Sequence, residues 1–117
     1  MTTVLDPSTL AELRDEGSDL LLDLIEIFLR ETPERLQLLA NAAATGDYAQ
    51  AERSAHTLKS SAAALGAESM RAVAAEAEAA AHSGQLDPVV PLIARLRREA
   101  EVVEAALRVE RSKLIAG

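Results

Sequence analysis

Residues Asp47 to Gly66 read DYAQAERSAHTLKSSAAALG, and the apolar positions in this stretch decide the fold. Ala51, Ala55, Leu58, Ala62 and Leu65 follow one another at intervals of 4, 3, 4 and 3 residues, the seam of a helix that packs lengthwise against other helices. Asp47 is placed to cap the free amide groups of the first turn, and Gly66 supplies a left-handed stop. The same grammar continues in both directions. Downstream, a segment from about Glu68 to Ser83 is mostly Ala, with Met70, Val73, Ala77 and Ala80 on one face and Gly84 at its end. Asp87-Pro88 then opens a long helix in which Val89, Ile93, Leu96, Ala100, Val103 and Leu107 recur at heptad spacing.

Upstream, Ser18 can cap a helix carrying Leu21, Leu24, Ile25, Phe28 and Leu29 on one side and Asp23, Glu26 and Arg30 on the other. Pro33 pushes Thr32 away from the helical region, which predicts a kink or short break before Leu36, Leu39 and Ala43 resume the stripe up to Gly46. A shorter helix starts at Asp6-Pro7 and stops at Gly17. No segment alternates as a strand does. Four long amphipathic helices with short connections pack best as antiparallel neighbours. The expected architecture is all-α: an antiparallel four-helix bundle with a short additional N-terminal helix covering one end, a single domain over 1–117.

Composition narrows the function. The 117 residues carry 12 Lys or Arg against 19 Asp or Glu, a net charge of −7, which disfavours binding to nucleic acid or to an anionic membrane surface. The absence of cysteine removes disulfide, thiolate-metal and cysteine-nucleophile chemistry. Phe28 and Tyr48 are the sole aromatic residues, so the core is aliphatic, with Phe28 placed inside it. The first ten residues lack the basic and apolar regions of a signal peptide, and no apolar run approaches the roughly 20 residues of a membrane span, so a cytoplasmic location is expected. Met1 and the well-delimited helix ends suggest a free-standing protein, and a monomer is expected although Val102 and Ala106 could face a second copy.

The sequence has no phosphate-binding glycine loop and no H-E-x-x-H. A di-metal carboxylate site would need Glu three residues before a His, but Arg53 precedes His56 and Ala79 precedes His82 at that offset. No metal site is expected. His56 is the polar residue that packing leaves over. It lies about 100° around the helix from seam residue Ala55, on a stripe with Glu52, Arg53, Lys59, Ser60 and Ala63. In an arbitrary bundle such a His is a solvated surface residue. Here a Lys follows one turn later and the next residues are small, so a partner protein can reach the imidazole. A neutral imidazole has one ring nitrogen with a free lone pair, suited to attack on phosphorus, and Lys59 can offset the charge of phosphoryl oxygens. The bundle supplies no nucleotide site, so the protein reads as a phosphoryl carrier and not as an enzyme, with Mg2+ and most of the transition-state stabilisation coming from its partner.

The stretch AHTLKSSAAALGA, Ala55 to Ala67, resembles the signature of histidine-containing phosphotransfer (HPt) domains, A-H-x-L-K-G-S-A-x-x-L-G-A. Phe28-Leu29 with Glu31 and Pro33, the Gly46-Asp47 turn and the Glu-bearing helix after Gly66 also fall where that family has them. The resemblance implies that His56 is the phosphoacceptor, that Lys59 contacts the phosphoryl group, and that the chain relays phosphate between aspartate-phosphorylated receiver domains, with response regulators or a hybrid sensor histidine kinase as partners. Glu52, Arg53, Ser60 and Ala63 are the expected partner-contacting residues. Two departures stand out: Ser60 replaces the usual Gly after the Lys, and Glu78 stands where many members have an imidazole-orienting Gln. A carboxylate at that position favours the protonated imidazole if the two touch. The alternative function is an HPt-like adaptor that binds partners without relaying phosphate, a reading that Ser60 favours.

The other polar residues have plainer readings. His82 suits the negative end of its helix. Arg53 either meets a receiver or pairs with Glu52 or Asp47, and Arg95, Arg97 and Arg98 form a solvated face with Glu99, Glu101 and Glu104.

Overall fold

A computed structural model describes residues 3–116. Among them are five helices: α1 (Pro7–Glu16), α2 (Ser18–Thr45), α3 (Tyr48–Ala64), α4 (Glu68–His82) and α5 (Val89–Ala116). Each of α2 to α5 packs on the next in sequence and α5 closes back on α2, so the four stripes enclose one core. Short connections force consecutive helices to run antiparallel. At 1.5 Å per residue the 28 residues of α2 span about 42 Å, which accounts for most of the molecule's 46 Å long axis.

The caps follow the sequence closely. The Asp6 carboxylate accepts from the Ser8 amide at 2.9 Å, and that of Asp47 accepts from the Gln50 amide at 3.1 Å. Gly46, Gly66 and Gly84 all have positive φ at the ends they terminate. Ser18 differs from its expected role: Gly17 is the capping residue of α2, with no side-chain cap, and Ser18 is already helical.

The α3 seam of Ala51, Ala55, Leu58, Ala62 and Leu65 is entirely buried, and so is the α5 row from Val89 to Leu107. On α4 the buried row is Met70, Val73, Ala74, Ala77 and Ala81, with Ala80 only half-buried. Small residues on α3 and α4 let these two backbones come close, and Phe28, Leu21, Ile25 and Leu39 from α2 fill the space beside them.

The helix does not break at Pro33; α2 is helical throughout from Ser18 to Thr45. Proline removes one amide donor, but Pro33 itself faces solvent while Phe28, Thr32, Leu36 and Leu39 are buried on the other side. Burial on both sides of the proline holds the helix in one piece. The stripe then continues through Ala42 (2% exposed), with Ala43 half-buried beside it.

Because α2 and α5 are 28 residues long and α3 and α4 only 17 and 15, the long pair overhangs the α3–α4 turn. As expected, α1 covers that end. The Asp6 amide donates to the Gly66 carbonyl at 2.9 Å, Leu5 and Leu10 are buried, and Arg14 pairs with Glu110 of α5 at 2.5 Å.

Candidate functional site: a histidine–glutamate–lysine cluster on the α3–α4 face

Since the α3 seam turns Ala55 and Leu58 inward, the residue after each of them is turned outward. His56 is therefore exposed, its side chain 59% accessible, halfway along α3. Across from it, Glu78 projects from α4 between inward-facing Ala77 and half-buried Ala80, its side chain only 20% accessible. Glu78 Oε2 lies 2.6 Å from His56 Nδ1, and Glu78 Oε1 lies 2.5 Å from Lys59 Nζ. One carboxylate thus joins the imidazole to the ammonium one turn further along α3.

The charges reinforce one another. The Lys59 ammonium, and after it the His56 ring, holds the Glu78 carboxyl below the usual carboxylate range, against the opposing effect of partial burial. An ionised Glu78 accepts hydrogen bonds only, so Nδ1 is the nitrogen that carries the proton and donates. In the neutral ring Nε2 then holds the lone pair. It has no partner among the described residues, on a side chain that is mostly accessible.

A second His–Glu pair sits beside the first. His82 Nδ1 is 2.9 Å from Glu52 Oε1. The two pairs cross: α3 contributes Glu52 and His56, α4 contributes Glu78 and His82, each Glu four residues before its His, and each Glu meets the His of the other helix. The chemical difference is the cation. Three residues after His56 stands Lys59; three residues after His82 stands Gln85. Only the first pair combines an accessible ring nitrogen with an ammonium on the same carboxylate. His82 is also the last residue of α4, where a cation suits the helix dipole, as the sequence implies.

The remaining sequence-selected residues divide. Glu52 lies on the same face but is engaged by His82. Arg53 pairs with neither Glu52 nor Asp47; its Nη2 donates to Gln50 Oε1 at 2.8 Å, and Gln50 in turn donates to Ser54 Oγ at 3.0 Å. Ser60 and Ala63 are exposed on the same stripe, Ser60 at the rim of a groove of about 230 Å3 between α2 and α3 that Ile27 and Ala64 also line. Arg95 reaches Glu76 of α4 at 3.4 Å, across the helix interface instead of along its own helix.

Two residues escaped the sequence reading. Gln50 holds Arg53, and Arg35 of α2 borders a cleft of about 580 Å3 that also includes Arg53, His56 and Glu78. The repeated E-x-x-x-H spacing was a visible signal for the crossed pairs. Arg35 gave none, because its place beside His56 depends on how α2 lies against α3.

A family model described as the Hpt domain matches residues 23–106. The chain belongs to the Hpt domain family. Its fold is similar to that of histidine-containing phosphotransfer protein B (HptB) from Pseudomonas aeruginosa PAO1, with a TM-score of 0.90 and 28% sequence identity over 97% of this chain and 98% of that one. No curated protein matches the chain significantly. This is a histidine phosphotransfer protein of the phosphorelay class, and the helical bundle is the HPt fold. Proteins of this family carry phosphoryl groups. No helix among the described residues is long and apolar enough to cross a membrane.

Proposed function

We propose that His56 is the phosphoacceptor, and that the chain acts as a monomeric single domain relaying phosphate between aspartate-phosphorylated receiver domains in the cytoplasm, a hybrid sensor kinase being one source of such a receiver. The observation that carries this reading is the Nδ1 contact to Glu78, which in the neutral ring fixes the proton on Nδ1 and puts the lone pair on Nε2. Nε2 attacks the phosphorus of the receiver's aspartyl phosphate. The N–P bond forms as the P–O bond to aspartate breaks, and the electron pair returns to the aspartate carboxylate. The ring becomes cationic while Nδ1 keeps its proton, and Glu78 offsets that charge. Onward transfer reverses these bond changes on a second receiver.

Lys59 shares Glu78 with the ring, so it lies one turn from the reacting nitrogen and can exchange a carboxylate oxygen for a phosphoryl oxygen. Glu52, Arg53, Ser60 and Ala63 surround His56 as the contact surface for the receiver. Mg2+ belongs to the receiver in this scheme. It needs several oxygen ligands in octahedral array, and here both carboxylates of the cleft are already engaged, Glu78 by His56 and Lys59 and Glu52 by His82. The exposed Ser60 leaves the approach to His56 open, so nothing in the geometry favours the adaptor alternative over the relay.

The test is incubation with receiver domains labelled on aspartate, comparing the native chain with His56→Gln. Acid-labile label on the native chain and none on the variant is the expected result. Equal labelling of both, or of neither across a broad panel of receivers, would remove His56 from this role.

A further inference from the structure

The cleft beside His56 has an electrostatic feature that the transfer chemistry does not use. Arg35 of α2 forms one side, Glu78 of α4 the other, and Gln50, Arg53 and His56 of α3 lie between them. Both acids of the cleft are engaged: Glu78 by His56 and Lys59, Glu52 by His82. Arg53 gives one nitrogen to a neutral amide. The Arg35 guanidinium has no hydrogen-bond acceptor and no carboxylate within 4 Å among the described residues. This holds although Glu31 stands four residues before it on the same helix, the favourable order for an ion pair.

In a chain of net charge −7, two guanidiniums without a carboxylate partner beside the reactive imidazole invert the local sign of the surface. A guanidinium presents a planar fork of donors that fits a carboxylate in bidentate fashion. Resting on the relay reading above, the surface that meets this cleft carries a phosphorylated aspartate and is therefore anionic at the point of contact.

We propose that Arg35, with Arg53 beside it, is a docking and specificity residue: it clasps a carboxylate on the receiver surface next to the phosphoaspartate, so that it governs productive encounter without touching the transferred phosphoryl group. Arg35 is a positioning residue on this account, and its removal acts on KM and leaves kcat in place.

The experiment measures receiver-to-His56 transfer over a range of receiver concentrations, and separately labels His56 with phosphoramidate, a small donor that docks no protein surface. Arg35→Gln is expected to raise KM for the receiver about tenfold, the scale of one hydrogen-bonded charged contact, with kcat little changed. It should also flatten the dependence of KM on ionic strength, while Arg35→Lys recovers part of the loss. Unchanged KM in Arg35→Gln overturns the proposal. So does an equal fall in phosphoramidate labelling, which would place Arg35 at the phosphoryl group or in the fold. Label on a His56→Gln chain from either donor is a different result: it overturns the relay reading, and this proposal with it.

Discussion

Glu78 is the residue on which the site turns, because a carboxylate and an amide at this position do different work. An amide could orient the ring; a carboxylate also binds Lys59 and sets a negative charge between the ring and the ammonium. Lys59 pairs with Glu78, and under the proposed relay it also meets the phosphoryl group, so its replacement should be felt in transfer. Lys59→Ala is expected to slow receiver-to-His56 transfer by roughly 10- to 100-fold, the equivalent of a charged hydrogen bond of about 1.5–3 kcal/mol. Lys59→Glu should come close to abolishing it, and equal transfer rates in the three proteins would take Lys59 out of the mechanism. The pH dependence follows from the direction of the Glu78 shift. Its folded-state pKa lies below the ordinary value of 4.5, so its ion pairs stabilise the fold above that value, and the contribution is lost as pH falls through the lowered one. In urea denaturation, the stability difference between wild type and Glu78→Gln should shrink as pH is lowered through this range; a constant difference would contradict it.

Helix ends are where element-scale packing becomes visible. Gly46 and Gly66 both terminate helices with positive φ, +77° and +71°. A side chain on Gly46 would meet open space. On Gly66, a Cβ would lie 2.8 Å from the Cβ of Asp6 and 3.0 Å from its amide nitrogen, because the segment leading into α1 lies directly on the α3–α4 turn. Gly46→Ala should cost about 1–2 kcal/mol from backbone conformation alone. Gly66→Ala should cost clearly more, since it also pushes against the backbone that donates to the Gly66 carbonyl. Chemical denaturation of the two variants checks the order, and equal losses would mean that α1 is not held at this turn. Pro33 teaches the complementary lesson. The local rule for proline predicts an interruption, yet α2 continues, because the stripe from Phe28 to Leu39 is buried on both sides of it and outweighs one missing hydrogen bond.

At the scale of the whole molecule, the four helices share one core, and the site depends on it indirectly. Leu58 is 1% exposed on α3 and Leu96 is fully buried on α5, and both belong to the same cluster. Leu58→Ala and Leu96→Ala should each destabilise by about 2–5 kcal/mol. Each variant should unfold in one step, with far-UV circular dichroism and Tyr48 fluorescence changing together. Separate transitions would show that the α3–α4 hairpin unfolds apart from the α2–α5 pair. Receiver docking belongs to this scale as well, since the basic flank of His56 combines Arg35 of α2 with Arg53 of α3.

Legible in the amino-acid sequence were the five helices, most of their caps, most of the buried rows, and His56 as the polar residue that packing leaves over, with Lys59 one turn further on. These are local properties: helical periodicity turns a 4, 3, 4, 3 spacing into a face, and what that face does not bury is exposed. It also pointed to Glu78, through the spacing of the HPt resemblance. Only the tertiary structure decided that Glu78 reaches His56 and Lys59 together, that Glu52 takes His82 instead of Arg53, and that Arg35 borders the same cleft. Each of those pairings depends on the longitudinal register and separation of two helices. Register is set by how small Ala residues on α3 and α4 interlock with the larger side chains of α2 and α5, which no single helix encodes.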